Sequence, residues 1–187
     1  MSETFEIRTD RLRLRSWRDE DFDAYAALNA DPRVMEFYPT LVGRDESRVR
    51  FDLWQARIAE HGYGFWPVEV IGGAPFIGMV GLSRPDFEAS FLPGVEIGWR
   101  LAAEHWGRGY ATEAARAALA YGFDRLGLAE IVSFTTTANV RSRRVMEKLG
   151  MRHVPAEDFL HPSIPEGHPL RPHVLYRARR DGLAPAP

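Results

Sequence analysis

Apolar and polar positions divide the chain into strand-like and helix-like stretches. Residues 11–15 (Arg-Leu-Arg-Leu-Arg) alternate with period two and predict an opening strand. Asp19 is placed to cap a helix running through Asn29, with Phe22, Tyr25, Ala26 and Leu28 as its apolar stripe. Asp31-Pro32 predicts a second cap with proline at the first helical position. A longer helix is predicted over residues 45–61, with Val49, Leu53, Trp54 and Ile58 as its stripe. The period then changes. Residues 65–71 and 76–83 read as strands joined by Gly72-Gly73, a hairpin signal, and residues 84–93 as a loop.

Residues 95–101 predict a strand with one apolar face and Gly98 inside it. A helix over 112–126 follows, burying Ala115, Ala118, Leu119, Phe123 and Leu126. Residues 131–136 read as another strand, and Asn139 as the cap of a short helix that ends at Gly150. Residues 155–172 are rich in proline and histidine. A last strand is predicted over 174–178, and residues 182–187 are expected to fray. With no internal repeat and no interdomain linker, the expectation is one mixed α/β domain over 1–187, its ordered core spanning about 7–180.

Composition narrows the classes. The 187 residues are 45% hydrophobic and 27% charged, enough for a packed core. The net charge of −2 and the absence of a basic block argue against a nucleic-acid partner. With no cysteine, disulfides, thiolate metal sites and a cysteine nucleophile are excluded. Residues 1–11 lack the apolar core of a signal peptide, and no stretch is apolar enough to span a bilayer, so no membrane partner and a cytoplasmic location are expected. The histidines show no ligand spacing. His61 and His105 read as surface residues, and His161, His168 and His173 fall in or beside the tail, so no metal is expected.

The most informative run is Trp106-Gly107-Arg108-Gly109-Tyr110-Ala111-Thr112-Glu113-Ala114, which joins strand 95–101 to helix 112–126. Two glycines let backbone N–H groups turn toward a ligand, and the helix adds the positive end of its dipole. That combination suits a phosphate-bearing ligand held by main-chain donors. A P-loop needs a lysine and a Ser/Thr that this turn lacks. A dinucleotide fingerprint needs Gly or Ala where Thr112 stands, and Glu130 begins its strand rather than ending it.

The remaining class is the coenzyme A site of the Gcn5-related N-acetyltransferase (GNAT) superfamily, which the chain resembles over roughly residues 7–180. Gly109 and Ala111 match its pyrophosphate signature, whereas Trp106 replaces the usual polar first residue. The chain is similar to the ribosomal-protein N-terminal (RimJ/RimL-like) branch in several motifs. These are Glu96-Ile97-Gly98-Trp99-Arg100-Leu101 with the turn after it, Asn139-Val140-Arg141-Ser142 with Val145-Met146-Glu147-Lys148-Leu149-Gly150-Met151, the opening Thr9-Asp10-Arg11-Leu12-Arg13-Leu14-Arg15, and Gly62-Tyr63-Gly64-Phe65-Trp66. The resemblance implies an α/β (α+β) fold with a strongly bent mixed sheet of about seven strands, helices on both sides, and a V-shaped splay between the fourth and fifth. Acetyl-coenzyme A would enter the splay as cosubstrate, its pantetheine arm adding to the exposed strand edge.

On that resemblance the donor-binding set is Ile97, Gly98, Trp99, Leu101, Gly107, Arg108, Gly109, Tyr110, Ala111, Thr112, Asn139 and Ser142. The bland readings stand beside it. On these readings Gly107 and Gly109 serve only a tight turn, Asn139 only a helix cap, and Ser142 is an ordinary residue of a first helical turn. Trp54, Trp66, Trp99 and Trp106 read as packing residues, some of which could line an acceptor pocket. Glu96 reads either as the partner of a neighbouring arginine such as Arg100 or as the general base, and Ser142 as the group that protonates the departing thiolate. The implied reaction is direct acetyl transfer to a primary amine in a ternary complex, polarised by a backbone N–H near residues 97–99. Acceptor candidates are a protein N-terminus, an amino-acid or antibiotic amine, and a polyamine. The alternative is a non-catalytic acyl-coenzyme A sensor. Relatives are often homodimers, but the periodicity marks no decisive interface.

Overall fold

The computed structural model describes residues 5–180; the chain end at 182–187, expected to fray, lies outside the described residues. Strands are β1 (Glu6–Arg8), β2 (Leu12–Arg15), β3 (Phe65–Val70), β4 (Gly78–Ser83), β5 (Glu96–Leu101), β6 (Glu130–Thr136), β7 (Arg152–His153), β8 (Phe159–Leu160) and β9 (Pro172–Arg179). Helices are α1 (Phe22–Ala30), α2 (Arg44–His61), α3 (Tyr110–Asp124) and α4 (Val140–Lys148). All nine strands form one sheet in the order β1-β2-β3-β4-β5-β6-β9-β7, with β8 also on β9. The resemblance implies about seven strands and periodicity marks six; β1, β7 and β8, of three, two and two residues, are too short to show a period and bring the described total to nine.

Side-chain alternation gives the sheet two apolar faces. On one, Leu14, Trp66, Val80, Leu82 and Ile97 pack under the small side chains of α3, Ala114, Ala115 and Ala118. On the other, Phe65 and Met79 meet Trp17, Phe22, Tyr25 and Phe51 from the α1–α2 side. Periodicity places half of the α2 stripe: Trp54 and Ile58 pack against the aromatic cluster. Val49 and Leu53 are exposed, and Ser47 and Phe51 are buried instead. Phe51 packs at aromatic distances against Trp17, Phe22 and Tyr25, and Ser47 Oγ accepts from Asn29 Nδ2 at 3.0 Å. Those contacts outweigh what two aliphatic side chains would gain.

Two predicted caps are corrected. Asp21, not Asp19, reaches back to the Arg18 backbone N–H (2.8 Å), and α1 starts after a 3₁₀ turn. Asp31 accepts from the Arg33 backbone N–H at 2.9 Å, but residues 32–37 are turns rather than a helix. Pro39 disfavours helical geometry at Tyr38, leaving too few residues to offset the cost of nucleation.

The decisive topological feature is the boundary between β5 and β6. These are the sheet's parallel neighbours, and their register holds one pair, Glu96 with Val132. Val132 N–H donates to Val95 C=O at 2.9 Å, and Ser133 Oγ donates to Ile97 C=O at 2.9 Å. Beyond that point β6 continues against β9, and β5 continues against β4. The splay expected between a fourth and a fifth strand therefore falls between β5 and β6, because β1 precedes the strands that periodicity reveals.

Candidate active site

The turn between β5 and α3 holds two glycines in left-handed geometry. Gly107 and Gly109 have φ of 73° and 81°, a left-handed geometry that strains any residue with a Cβ. Gly109 is the N-cap of α3, which starts at Tyr110, two residues earlier than predicted. The first ladder bond runs from Glu113 N–H to Gly109 C=O (3.0 Å). The N–H groups of Tyr110, Ala111 and Thr112 therefore precede the helical ladder and stay open at its positive end.

The turn is braced from behind by residues the sequence reading did not single out. Glu113 accepts from Thr9 Oγ1 (2.6 Å), Arg11 N–H (3.0 Å) and Arg11 Nε (2.7 Å). Arg11 Nη1 donates to Arg108 C=O at 3.0 Å, so the same guanidinium holds the loop backbone. Burial pushes the Glu113 carboxyl up, but the hydrogen bonds from Thr9 and Arg11 outweigh it and hold the group below the usual carboxylate range. An acidic residue in a helix's first turn was the available signal. Trp106 caps the other side, its indole Nε1 donating to Leu101 C=O at 2.8 Å while Arg141 stacks on its ring at 4.5 Å.

A cleft of about 360 Å³ opens in front of this turn. It brings together the turn, Trp99 to Leu101 of β5, Asn139 and Ser142 at the start of α4, and the connection between α1 and α2. Asn139 caps α4, its side-chain oxygen accepting from Ser142 N–H at 3.1 Å while its amide nitrogen donates to Thr135 Oγ1 at 3.0 Å. The cap reading is thus correct, and one amide hydrogen remains for a ligand. Ser142 lies half-buried on the cleft wall.

Within β5, the two edges are used differently. Ile97 turns its C=O toward β6, so the two-residue alternation turns Trp99 and Leu101 the same way, past the last register pair with β6. Leu101 C=O is taken by Trp106, leaving the Trp99 backbone as the open edge. Gly98 turns its backbone toward β4, opposite Gly81. Its missing side chain is also used: a Cβ there would stand 2.9 Å from Phe65 Cζ.

Glu96, Gly98 and Arg100 share the opposite side-chain face. No Glu96–Arg100 ion pair forms among the described residues, which corrects that expectation; four residues along a strand span about 13 Å. Part of the Glu96 surface stays accessible at the splay, yet protein surrounds the carboxylate. Burial, and secondarily the Asp86 carboxylate, push its pKa up to about 8. Nearby, Phe87, Phe134, Phe159, His161 and His173 form an aromatic cluster. His173, just past the proline- and histidine-rich stretch, is buried on β9. Burial lowers its pKa to about 4, against a smaller upward pull from its hydrogen bond to Arg171 C=O. His161 is also lowered by burial, and Asp86 opposes this. Among the described residues no group of three or more His, Cys, Asp or Glu could hold a metal ion, and no helix is long and apolar enough to cross a membrane.

Comparison with known proteins agrees with this geometry. Residues 11–152 match the family model described as an acetyltransferase (GNAT) domain. The protein YkkB of Bacillus subtilis (strain 168) is 36% identical over 156 residues, covering 82% of this chain and 88% of YkkB. The FsC-acetyl coenzyme A-N(2)-transacetylase of Aspergillus fumigatus is 32% identical over 178 residues, covering 86% of this chain and 72% of that protein. The solved GNAT-family acetyltransferase of Bacillus anthracis superposes with a TM-score of 0.78 at 28% identity, covering 95% of this chain and 99% of that one. The open nine-stranded sheet, the glycine turn ahead of α3 and these matches together make the chain a member of the GNAT family of acetyltransferases.

Proposed function

We propose that this acetyltransferase moves the acetyl group of acetyl-coenzyme A onto a primary amine by direct attack, and that its motifs put it in the RimJ/RimL-like branch. The observation that carries the reading is the open N-terminus of α3, with two left-handed glycines before it and an unpaired β5 edge leading up to it. Those features fit the donor. Backbone N–H groups over Gly107, Arg108, Gly109, Tyr110, Ala111 and Thr112 would take the diphosphate. The peptide-like pantetheine arm would lie along the β5 edge over Ile97, Gly98, Trp99 and Leu101, pairing with the open Trp99 backbone, with Asn139 and Ser142 opposite. The Aspergillus relative is named for an acetyl-coenzyme A donor and an N(2) acceptor atom, which supports the same reaction class.

The donor supplies an activated thioester carbonyl. Among the backbone groups near it, the Trp99 N–H is the free donor, and we assign it the polarisation of that carbonyl. Glu96 is the base. Its pKa of about 8 is matched to an α-amino group, whose own value lies near 8. The ammonium gives one proton to Glu96 and the neutral amine forms the new C–N bond; as the C–S bond breaks, Ser142 Oγ–H protonates the departing thiolate, and the second proton that the nitrogen sheds on becoming an amide returns to the Ser142 oxygen. The chain has no cysteine, and its described histidines make no hydrogen bond to a serine hydroxyl, so no covalent enzyme intermediate is needed.

Thiol release from acetyl-coenzyme A across an amine panel tests this. Release with some amines supports the reading; donor binding with no release on any amine would leave an acyl-coenzyme A sensor. Gly109→Val adds strain at φ 81° and places a side chain beside Arg11 Nη2, 3.4 Å from the Cβ position. It should weaken donor binding by about tenfold or more. Unchanged binding would remove the diphosphate from this turn.

A further inference from the structure

Arg100 is 7% exposed, yet among the described residues no carboxylate pairs with it. Its Nε is buried without a hydrogen-bond partner, and its Nη1 reaches only the Met35 sulfur at 3.4 Å. The guanidinium otherwise faces the Tyr38 ring, 5.2 Å from its centroid. A buried, uncompensated cation is strongly unfavourable, and a thioether sulfur and a ring face replace little of the hydration it loses. Arg15, equally buried on β2, shows the usual solution, with Asp21 and Glu69 both in contact. Arg100 instead lines the cleft.

We infer that Arg100 holds an anionic group of the acceptor, and that the acceptor is an amine that also carries a carboxylate. This rests on the acetyltransferase reading above. Arg100 lies opposite Met79 in the β4–β5 register, on the face covered by α1 and α2, and Glu96 projects from the same face. The diphosphate turn lies past the end of β5, at the head of α3, which covers the other face. The Phe65 ring stands over Gly98 between the two, so an acceptor whose nitrogen reaches Glu96 passes around that ring and meets Arg100 from the cleft. Met35 and Tyr38, the side chains that flank the guanidinium, come from the connection between α1 and α2. One guanidinium balances one negative charge, and its planar fork matches a carboxylate in two parallel hydrogen bonds. The spacing of Glu96 and Arg100 favours an acceptor whose amine and carboxylate are separated by several atoms.

Calorimetric titration of wild type and Arg100→Met with glycine, β-alanine, γ-aminobutyrate, ε-aminocaproate and the carboxamide of each tests the inference without relying on turnover. In wild type at least one acid should bind about tenfold more tightly than its carboxamide, as a charge-assisted pair requires. In Arg100→Met that difference should vanish, donor affinity should be unchanged, and the melting temperature should rise because an unpaired buried charge is gone. Equal binding of every acid and its carboxamide overturns the inference. So does lost donor affinity in Arg100→Met, which would give the arginine to the donor's phosphates. A fall in melting temperature would assign it a structural role. Arg100→Lys is the second variant, for use if the methionine variant does not fold: it keeps the charge without the fork and should retain only part of the acid preference. Thiol release run in parallel separates the two claims. Release with carboxamides as readily as with acids keeps the acetyltransferase reading and sinks this one. Arg100-dependent acid binding without any release does the reverse.

Discussion

The Arg11 guanidinium meets one oxygen of the Glu113 carboxylate through two nitrogens, Nε at 2.7 Å and Nη2 at 2.6 Å, across 102 residues of sequence. The same guanidinium holds Arg108 C=O in the glycine turn ahead of α3. Two effects of Glu113→Ala can be set against each other because their signs differ. Removing a negative charge from the helix N-terminus would by itself strengthen anion binding. Releasing Arg11 frees the loop and would weaken it. The bracing role predicts about tenfold weaker acetyl-coenzyme A binding by calorimetry, with a stability loss of about 1 kcal/mol or less, since the freed Arg11 donors are solvated. Tighter binding would show that Glu113 acts only through its charge. Because the folded carboxyl titrates below the ordinary 4.5, its contribution is full above that pH and is lost as pH falls through the lowered folded value.

Glu96 carries a prediction in which activity and stability move in opposite directions. A carboxyl at about 8 becomes a base only as pH rises through that value, so kcat/KM should climb through pH 8. Glu96→Gln should lower kcat by about 10²-fold or more and leave only the acceptor's own ionisation in the profile. The folded state holds a proton that the unfolded state has released above pH 4.5, so wild-type stability declines as pH rises from 4.5 through 8. The glutamine variant escapes that decline. At pH 9 it should melt about 2–4 °C above wild type for each kcal/mol relieved. A variant that melts lower at pH 9 would show that Glu96 is ion-paired in solution.

His173 gives the opposite slope at acid pH. Its folded pKa near 4 lies below the ordinary 6.5, so the unfolded state takes up the proton first as pH falls. The contribution to stability is complete above 6.5 and disappears between 6.5 and about 4. His173→Phe should be tolerated, since the ring sits beside Phe134 and Phe159, and Arg171 C=O keeps its bond from His161 N–H at 2.9 Å. Melting temperature followed from pH 7 to pH 4 should fall less steeply in the variant. Parallel curves would mean that the imidazole titrates alike in the folded and unfolded states.

Legibility from sequence followed the range over which each interaction acts. The turn from Trp106 to Thr112 was readable because its strand, glycines and helix are contiguous, and Asn139 was readable because a cap acts three residues away. The short strand β1 was not, because its residues are held by pairing with β2 rather than by a period of their own. The α2 stripe was half legible: Trp54 and Ile58 do face the core, but Val49 and Leu53 fit a helical stripe as well as Phe51 does, and only the aromatic neighbours decide between them. Glu113 and Arg100 depended on partners, or on the lack of them, that folding alone reveals. A charged residue on a strand shows neither its burial nor its company until the sheet is assembled.

Asn139 and Ser142 are joined by one hydrogen bond, and their substitutions should separate structure from chemistry. Asn139→Ala removes the oxygen that receives Ser142 N–H and the amide that reaches Thr135 Oγ1. It should cost about 1 kcal/mol of stability as a lost cap and also raise the KM for acetyl-coenzyme A. Asn139→Asp restores the cap oxygen but replaces the amide donor with a negative charge. It should recover stability and not donor affinity. Ser142→Ala leaves the backbone N–H that makes the capping bond, so its melting temperature should match wild type within about 0.5 kcal/mol. If the hydroxyl protonates the departing thiolate, kcat should fall while the KM for acetyl-coenzyme A stays constant. The loss should be modest, because a thiolate of pKa about 8.5 leaves readily without help. Wild-type kcat in Ser142→Ala would remove the hydroxyl from the reaction and leave the departing sulfur to be protonated by water.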